Sequence, residues 1–371
     1  MPYHFRNLVF EGGGVKGVAY VGAMEVLGRR RILPDIVRVG GTSAGAINAT
    51  LFALGYTNPQ TRKLLQELDF NNFLDADWGL VRDSQRLLKK YGWYKGDYFR
   101  DWMGERIAHK FGDADMTFAD LHAAGRPDLY VYGTNLSTGF GEVFSVEHTP
   151  QLSVATAVRI SMSIPLFFAA VRAGHLAVDG AAQRSNSVAH TSADGTVADD
   201  IYVDGGLLDN YPVKLFDRLH YIDTPEQESA ARRTNYYGRE NRRLARRAKK
   251  RDYSPYVYNR QTLGLRLDSP QQITAFRDGV MPAHREIKDF FDYARALIST
   301  IIEAQATQHL HSDDWQRTVY IDTLDVATTD FDLSDARKLA LVDSGRACTA
   351  EYFEWFNDRN EEPINRMQAG N

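Results

Sequence analysis

Ile36-Val37-Arg38-Val39-Gly40-Gly41-Thr42-Ser43-Ala44-Gly45-Ala46-Ile47-Asn48-Ala49-Thr50-Leu51-Phe52-Ala53-Leu54-Gly55 is the stretch on which the fold turns. A short β-branched run stops at two glycines. A serine follows, then an apolar segment of helical character closed by Gly55. Strand, Gly-x-Ser-x-Gly and helix form a nucleophile elbow. The turn is tight, so the glycines flanking the serine avoid steric clash. Ser43 is thereby pushed out at the carboxyl end of a strand. The amide of Ala44 sits at a helix N-terminus, where it can donate to an oxyanion. A plainer reading leaves Ser43 as a helix cap on a turn of small residues.

Working back toward the N-terminus, Leu8-Val9-Phe10 is a strand candidate, followed by Glu11-Gly12-Gly13-Gly14-Val15-Lys16-Gly17 and a helical run over 18–31. Strand, glycine loop, helix, strand, elbow and helix make a βαβα start, which predicts a parallel sheet. The loop lacks the Gly-Lys-Ser/Thr of a phosphate cradle. It does match a dinucleotide fingerprint as Gly12-x-Gly14-x-x-Gly17, with Asp35 at roughly the distance of a ribose-binding acid. As an oxyanion loop, its consecutive glycines would expose backbone amides worth ~3–4 kcal/mol each to a developing negative charge. Lys16 would add positive charge nearby.

The chain has 371 residues, 43% of them hydrophobic and 12% aromatic, with a net charge of −4. That suits a soluble globular protein with a sizeable core and exerts no global pull toward nucleic acid or anionic lipid. Cys348 is the only cysteine, which excludes an internal disulfide and a cysteine-based metal site. The first residues lack the apolar run of a signal peptide. No window reaches the ~18 uninterrupted apolar residues of a membrane span.

Further along, residues 58–85 read as helical and 91–99 as an aromatic packed loop. Residues 99–111 form a helix, and Thr117 caps another. Strands are predicted at 129–135, 141–146, 201–204, 258–267 and 317–323. A helix over 152–160 runs into Ser161-Met162-Ser163-Ile164-Pro165, where the serines can bond their own backbone. Residues 173–200 read as loop. From His284 an amphipathic helix carries Ile287, Phe290, Phe291, Ala294, Leu297, Ile298, Ile301 and Ile302 at helical spacing. Core packing is the expectation for that stripe. Ser334 caps a last helix.

Residues 224–254 break the composition. Arg232, Arg233, Arg239, Arg242, Arg243, Arg246, Arg247, Lys249, Lys250 and Arg251 are ten bases among few acids. Like charges this dense predict a solvated segment that is mobile in the free protein. The other reading is a patch facing phosphate headgroups, at ~1 kcal/mol per basic residue near an anionic surface.

A serine elbow needs a base. No histidine stands at a recognisable strand end, and His175 only precedes the strand-like 176–178. The acid with the best context is Asp204, which ends an apolar strand and is followed by Gly205-Gly206. A carboxylate can take the serine proton directly if desolvation raises its pKa. Asp179-Gly180 is an alternative with one glycine fewer.

Taken together, these motifs resemble the patatin-like phospholipases. Gly12-Gly13-Gly14-Val15-Lys16-Gly17 resembles the family's oxyanion loop and Gly41-Thr42-Ser43-Ala44-Gly45 its elbow. Ser161-x-Ser163-x-Pro165 resembles its third block and Asp204-Gly205-Gly206 its acid block. The four occur in the family's order over residues 6–215. The resemblance implies a three-layer α/β/α fold with a mostly parallel sheet, and hydrolysis of acyl esters in phospholipids or lysophospholipids. It implies a Ser43–Asp204 dyad acting without histidine, metal or cofactor. Oxyanion donors would come from Gly13, Gly14 and Ala44, with Gly12 and Lys16 completing the loop. A transacylase on the same site is the close variant. The longer stretch 168–202 and the basic insertion depart from the family pattern. One catalytic domain over 1–371 is expected, with a helical part at 284–358. The expected partner is a phospholipid membrane surface, bound peripherally from the cytoplasm or after export without a signal peptide. An activating protein is a further possibility the family leaves open, and nucleic acid is not expected.

Overall fold

The computed structural model describes residues 3–73, 87, 89–173, 199–225, 228, 236–245, 254–269, 286–310 and 313–366. His175, the 176–178 run and Asp179 lie outside these residues. So do Arg232, Arg233, Arg246, Arg247, Lys249, Lys250 and Arg251.

The chain starts with β1 (Asn7–Phe10), a 3₁₀ turn (Gly14–Ala19) and α1 (Tyr20–Arg29). Next come β2 (Arg38–Thr42), α2 (Ala44–Ala53) and α3 (Asn58–Glu67). Then follow β3 (Gly92–Tyr94), α4 (Asp97–Phe111), α5 (Phe118–Ala123), β4 (Asp128–Asn135) and β5 (Phe140–Phe144). The middle of the chain holds α6 (Val154–Ser161), β6 (Leu166–Phe168), β7 (Val171–Ala173) and β8 (Asp200–Asp204). It ends with α7 (Gly238–Ala245), β9 (Thr262–Asp268), α8 (Phe290–Leu310), β10 (Thr318–Asp322) and α9 (Asp335–Asn357). Local chemistry accounts for several boundaries. Thr57 and Gln60 form a capping box at α3, Thr117 and Asp120 another at α5, and Ser334 accepts the Arg337 amide at α9.

Eight strands form the main sheet in the order β10-β9-β1-β2-β4-β8-β7, with β5 also on β4. From β10 to β4 every pair is parallel, while β5, β8 and β7 join antiparallel. The sheet is mostly parallel and flanked by helices, as the βαβα start predicts. The small pair β3–β6 is parallel and was not foreseen, since both strands are three residues long.

Alternation along β1 shows how the layers are built. Leu8 and Phe10 point into the large core with residues of α1, α2 and α9. Val9 points the other way, against Tyr130, Phe216 and Tyr221. Both faces are covered, so the strand reads as a continuous apolar run.

Two expectations change here. The described part of the basic insertion, which holds three of the ten bases, is tied to the core. The Tyr237 hydroxyl donates to Asp217, the Tyr236 hydroxyl to Asp314 at 3.0 Å, and the Asn241 amide pairs twice with the backbone of Tyr256 at 2.6 and 2.7 Å. Asp217 and Asp314 clamp buried Arg317 at 2.6 Å each. The aromatic residues leading into α7 thus reach buried partners. The second change concerns the α8 stripe. Ala294 is buried as expected, but Ile287, Phe290 and Leu297 are 54%, 42% and 41% exposed. The helix packs on the turns Gly205–Leu207 and Asp313–Arg317, so only part of its stripe meets the core.

Candidate active site

Ser43 terminates β2 in a strained conformation, φ 53° and ψ −126°. A non-glycine residue pays about 1–3 kcal/mol to stand there. The strain is imposed by crowding. A Cβ on Gly45 would come within 2.4 Å of the Phe10 carbonyl and one on Gly41 within 2.6 Å of Gly45. Strand β1 and helix α2 therefore approach closely only through glycine, and the serine takes the turn between them.

Asp204 arrives from the opposite direction at the end of β8. Thr42 pairs with Tyr132 and Asp204 with Gly133, so strand β4 registers the elbow and the acid against consecutive residues. The Ser161-x-Ser163 segment fastens both. The Ser161 hydroxyl accepts the Ser43 amide at 2.8 Å and donates to the Tyr132 carbonyl at 2.6 Å. The Asp204 amide donates to the Ser163 carbonyl at 2.9 Å. As expected, Ser163 also bonds its own helix, at the Arg159 carbonyl. Buried Arg159 in turn donates to the Lys95 and Ala169 carbonyls and to the Ser163 hydroxyl. This bridging by Ser161 was not read from the sequence, where only local backbone bonds were expected.

Burial pushes the Asp204 carboxyl up from 3.8 to about 7, opposed by the Gly206 amide and the Ser43 hydroxyl. Oδ1 accepts the Gly206 amide at 2.7 Å, and Oδ2 has no hydrogen-bond partner among the described residues. The Ser43 hydroxyl favours the carboxylate without a formed hydrogen bond to it, and donates instead to Met162 Sδ at 3.5 Å. That is usual before substrate closes the geometry.

The glycine loop lies alongside. Gly14 has φ +56°, and a Cβ there would stand 2.0 Å from the Thr328 carbonyl. Amides of Gly13, Gly14 and Ala44 have no acceptor among the described residues. The Gly12 amide is different, because it donates to the Asn210 carbonyl at 2.9 Å. Gly12 thus shapes the loop and holds no free donor. Lys16 stays near Glu11 and Asp268, where its charge favours their ionised forms. Burial pushes Glu11 up to about 7, and its Oε2 accepts the Leu267 amide at 2.7 Å.

Asn210 is a second residue missed in the sequence. Its side-chain amide donates to the Gly12 carbonyl at 3.1 Å and to Glu11 at 3.3 Å. Its own amide donates to Gln305 of α8 at 3.2 Å, and Gln305 also donates to Gly206 and Leu207. The glycine loop, the loop after Asp204 and α8 are thus joined. Asn210 lies six residues after Asp204, a position whose only sequence signal was proximity to the acid block.

These groups open into one cavity of about 590 Å³, walled by Gly12, Gly13, Ser43, Asp204, Leu267 and residues of α8. It lies at the carboxyl ends of β1, β2, β9 and β10, where open α/β sheets bind ligands. Asp35 stands in the turn ahead of β2, at the other end of the strands, so it cannot serve a nucleotide on this loop. No described histidine lines the cavity. Among the described residues there is no metal-binding group of three His, Cys, Asp or Glu side chains, and no helix long and apolar enough to cross a membrane.

The sequence profile described as Patatin-like phospholipase matches residues 8–217. The YqhO protein of Bacillus subtilis (strain 168) is 29% identical over 353 residues, covering 92% of this chain and 95% of that one. A protein of Invertebrate iridescent virus 6 named Probable lipid hydrolase 463L is 20% identical over 219 residues, covering 59% of this chain and 66% of its own. Among solved structures, VipD from Legionella pneumophila aligns over 95% of this chain and 67% of its own, with a TM-score of 0.50 and 15% identity. That likeness is one of fold. With the profile spanning more than half of its length, the chain belongs to the patatin-like phospholipase family, a family of lipid hydrolases.

Proposed function

We propose that this enzyme cleaves fatty acyl esters of phospholipids or lysophospholipids through a Ser43–Asp204 dyad, working at a membrane surface. The observation that carries the reading is the meeting, in one cavity, of a strained elbow serine, a buried carboxylate with a raised pKa and the glycine loop at Gly12 and Gly13. Asp204 takes the proton of Ser43 as Oγ attacks the ester carbonyl carbon. The carbonyl oxygen becomes an oxyanion facing the amides of Gly13, Gly14 and Ala44. The ester C–O bond then breaks, and the leaving alkoxide takes the proton from Asp204. Water attacks the acyl-serine with Asp204 again accepting a proton, which returns to Ser43 as the fatty acid leaves. The apolar walls, among them Ile164, Phe167, Leu267 and Ile302, suit an acyl chain.

A fluorophosphonate probe tests the nucleophile: it should label Ser43 and no other residue. Mass spectrometry of acids released from mixed phospholipid vesicles tests the substrate. Labelling elsewhere, or release of no fatty acid, overturns the reading.

A further inference from the structure

Helix α8 carries two stripes. Asp292, Ala296, Ser299 and Ile302 line the catalytic cavity. One step around the helix, Phe290, Tyr293, Leu297, Thr300 and Ala304 are exposed, with Phe290, Tyr293 and Leu297 at 42%, 53% and 41%. Spacings of three and four place these five on one face. Leu208 extends the patch, 43% exposed and next to Leu207, whose carbonyl accepts Gln305 of α8 at 2.7 Å. Single exposed apolar residues are ordinary, whereas a contiguous set marks a contact surface.

We infer that the outer face of α8, with Leu208, is where the enzyme enters an uncharged or zwitterionic phospholipid bilayer. The inference rests on the lipid substrate proposed above. Continuity is the first argument: patch and cavity wall are two faces of one helix, so a bilayer on the outer face stands about one helix diameter, ~10 Å, from the cavity. Charge is the second. Residues 286–310 hold four acids (Glu286, Asp289, Asp292, Glu303) and two bases (Lys288, Arg295). The described cavity wall adds Asp325, while Glu11 and Asp268 beside Lys16 share the buried Arg266. An acidic mouth disfavours an anionic surface and tolerates a choline or ethanolamine headgroup.

The third argument concerns the basic segment. Its described helix, α7, is fastened through Tyr236 and Tyr237 to Asp314 and Asp217, at the amino ends of β9 and β10. The cavity lies at their carboxyl ends, and seven residues of β9 span roughly 20 Å. A bilayer lying flat on the exposed residues of α7 is therefore on the wrong side of the sheet for the cavity. Of the arginines through which electrostatic docking is expected from the sequence, Arg242, Arg243, Arg246 and Arg247, the two described ones are thus poorly placed, and apolar docking through α8 takes their part.

Vesicle flotation tests this with Ser43→Ala protein, so that no lipid is consumed. Phosphatidylcholine vesicles should bind it, and raising salt should not weaken binding. Adding Phe290→Ser, Tyr293→Ser and Leu297→Ser should weaken binding at least tenfold. Adding Arg242→Gln and Arg243→Gln instead should leave it unchanged. In the otherwise native enzyme, the triple serine variant should keep its melting temperature and its hydrolysis of a soluble short-chain ester. Binding of the triple variant equal to that of its parent overturns the inference, as does a loss seen only in the arginine variant. A patch that serves a second copy would show instead as a dimer-to-monomer change in sedimentation with vesicle binding intact, which also overturns it. Flotation reads docking whether or not the phospholipase reading holds.

Discussion

Thr42, immediately before the elbow serine, and Asp204 stand opposite consecutive residues of strand β4, Tyr132 and Gly133. Strand β2 reaches β4 parallel and β8 reaches it antiparallel, so their ends converge. Ser43 and Asp204 are 161 positions apart in sequence and share one cavity because a third strand holds both ends.

The dyad yields the first prediction. Ser43→Ala should reduce ester hydrolysis to near background. Asp204→Asn should lower kcat by about 10²–10⁴, the usual worth of a positioned base. Circular dichroism should report an intact fold for both. Retention of more than a tenth of wild-type kcat by Asp204→Asn would remove that residue from the role.

A pH profile follows from the same carboxyl. Asp204 must be ionised to accept a proton, so kcat/KM should fall tenfold per pH step below about 7. Stability should run the opposite way. The folded state holds the proton up to about 7, whereas the unfolded chain releases it near 3.8. Between those values the native state binds more protons, so the Asp204 contribution to stability declines as pH rises. Asp204→Asn should therefore melt higher than wild type at pH 8 and close to it at pH 4. Thermal scans at the two pH values decide this, and a lower melting point for the variant at pH 8 would contradict it.

Ser161→Ala removes the hydroxyl joining the Ser43 amide to the Tyr132 carbonyl. Two buried backbone groups lose their partner, at about 1–3 kcal/mol. The unfolding free energy from urea titration should fall by that amount, and kcat should fall more than KM rises, since the elbow loosens. Ser161→Thr, which keeps the hydroxyl, should recover most of both.

Arg317→Met leaves buried Asp217 without its cation and Asp314 with Lys214 alone, at 3.5 Å. Removing one partner of a buried ion pair costs about 3–5 kcal/mol. The urea midpoint should drop accordingly and α7 should become protease-sensitive. Hydrolysis per folded molecule should hardly change, because the clamp lies at the end of the strands away from Ser43. An equal loss of kcat in the folded variant would show that the two ends are coupled.

Much of the fold was legible because its signals are local. Gly41-Thr42-Ser43-Ala44-Gly45 announces a strand-to-helix turn whose crowding only small residues tolerate. The apolar runs at β1, β4, β8, β9 and β10 are short enough for strands and bounded by polar or glycine residues. Thr117 and Ser334 cap their helices through bonds within the same turn. The three-residue strands β3 and β6 were not legible, since each depends on a partner more than 70 positions away.

Sequence by itself determined the Gly-x-Ser-x-Gly turn, the glycine loop, the Asp-Gly-Gly block and the parallel core, because each is written within a few adjacent residues. Only the tertiary structure decided that Ser161 bridges the elbow to β4, that Asn210 joins three loops, and that the Gly12 amide is already engaged. It also decided which side of α8 is wet and at which end of the sheet α7 is fastened. Helical spacing says which residues share a face, but the face that is buried depends on what the rest of the chain brings against it.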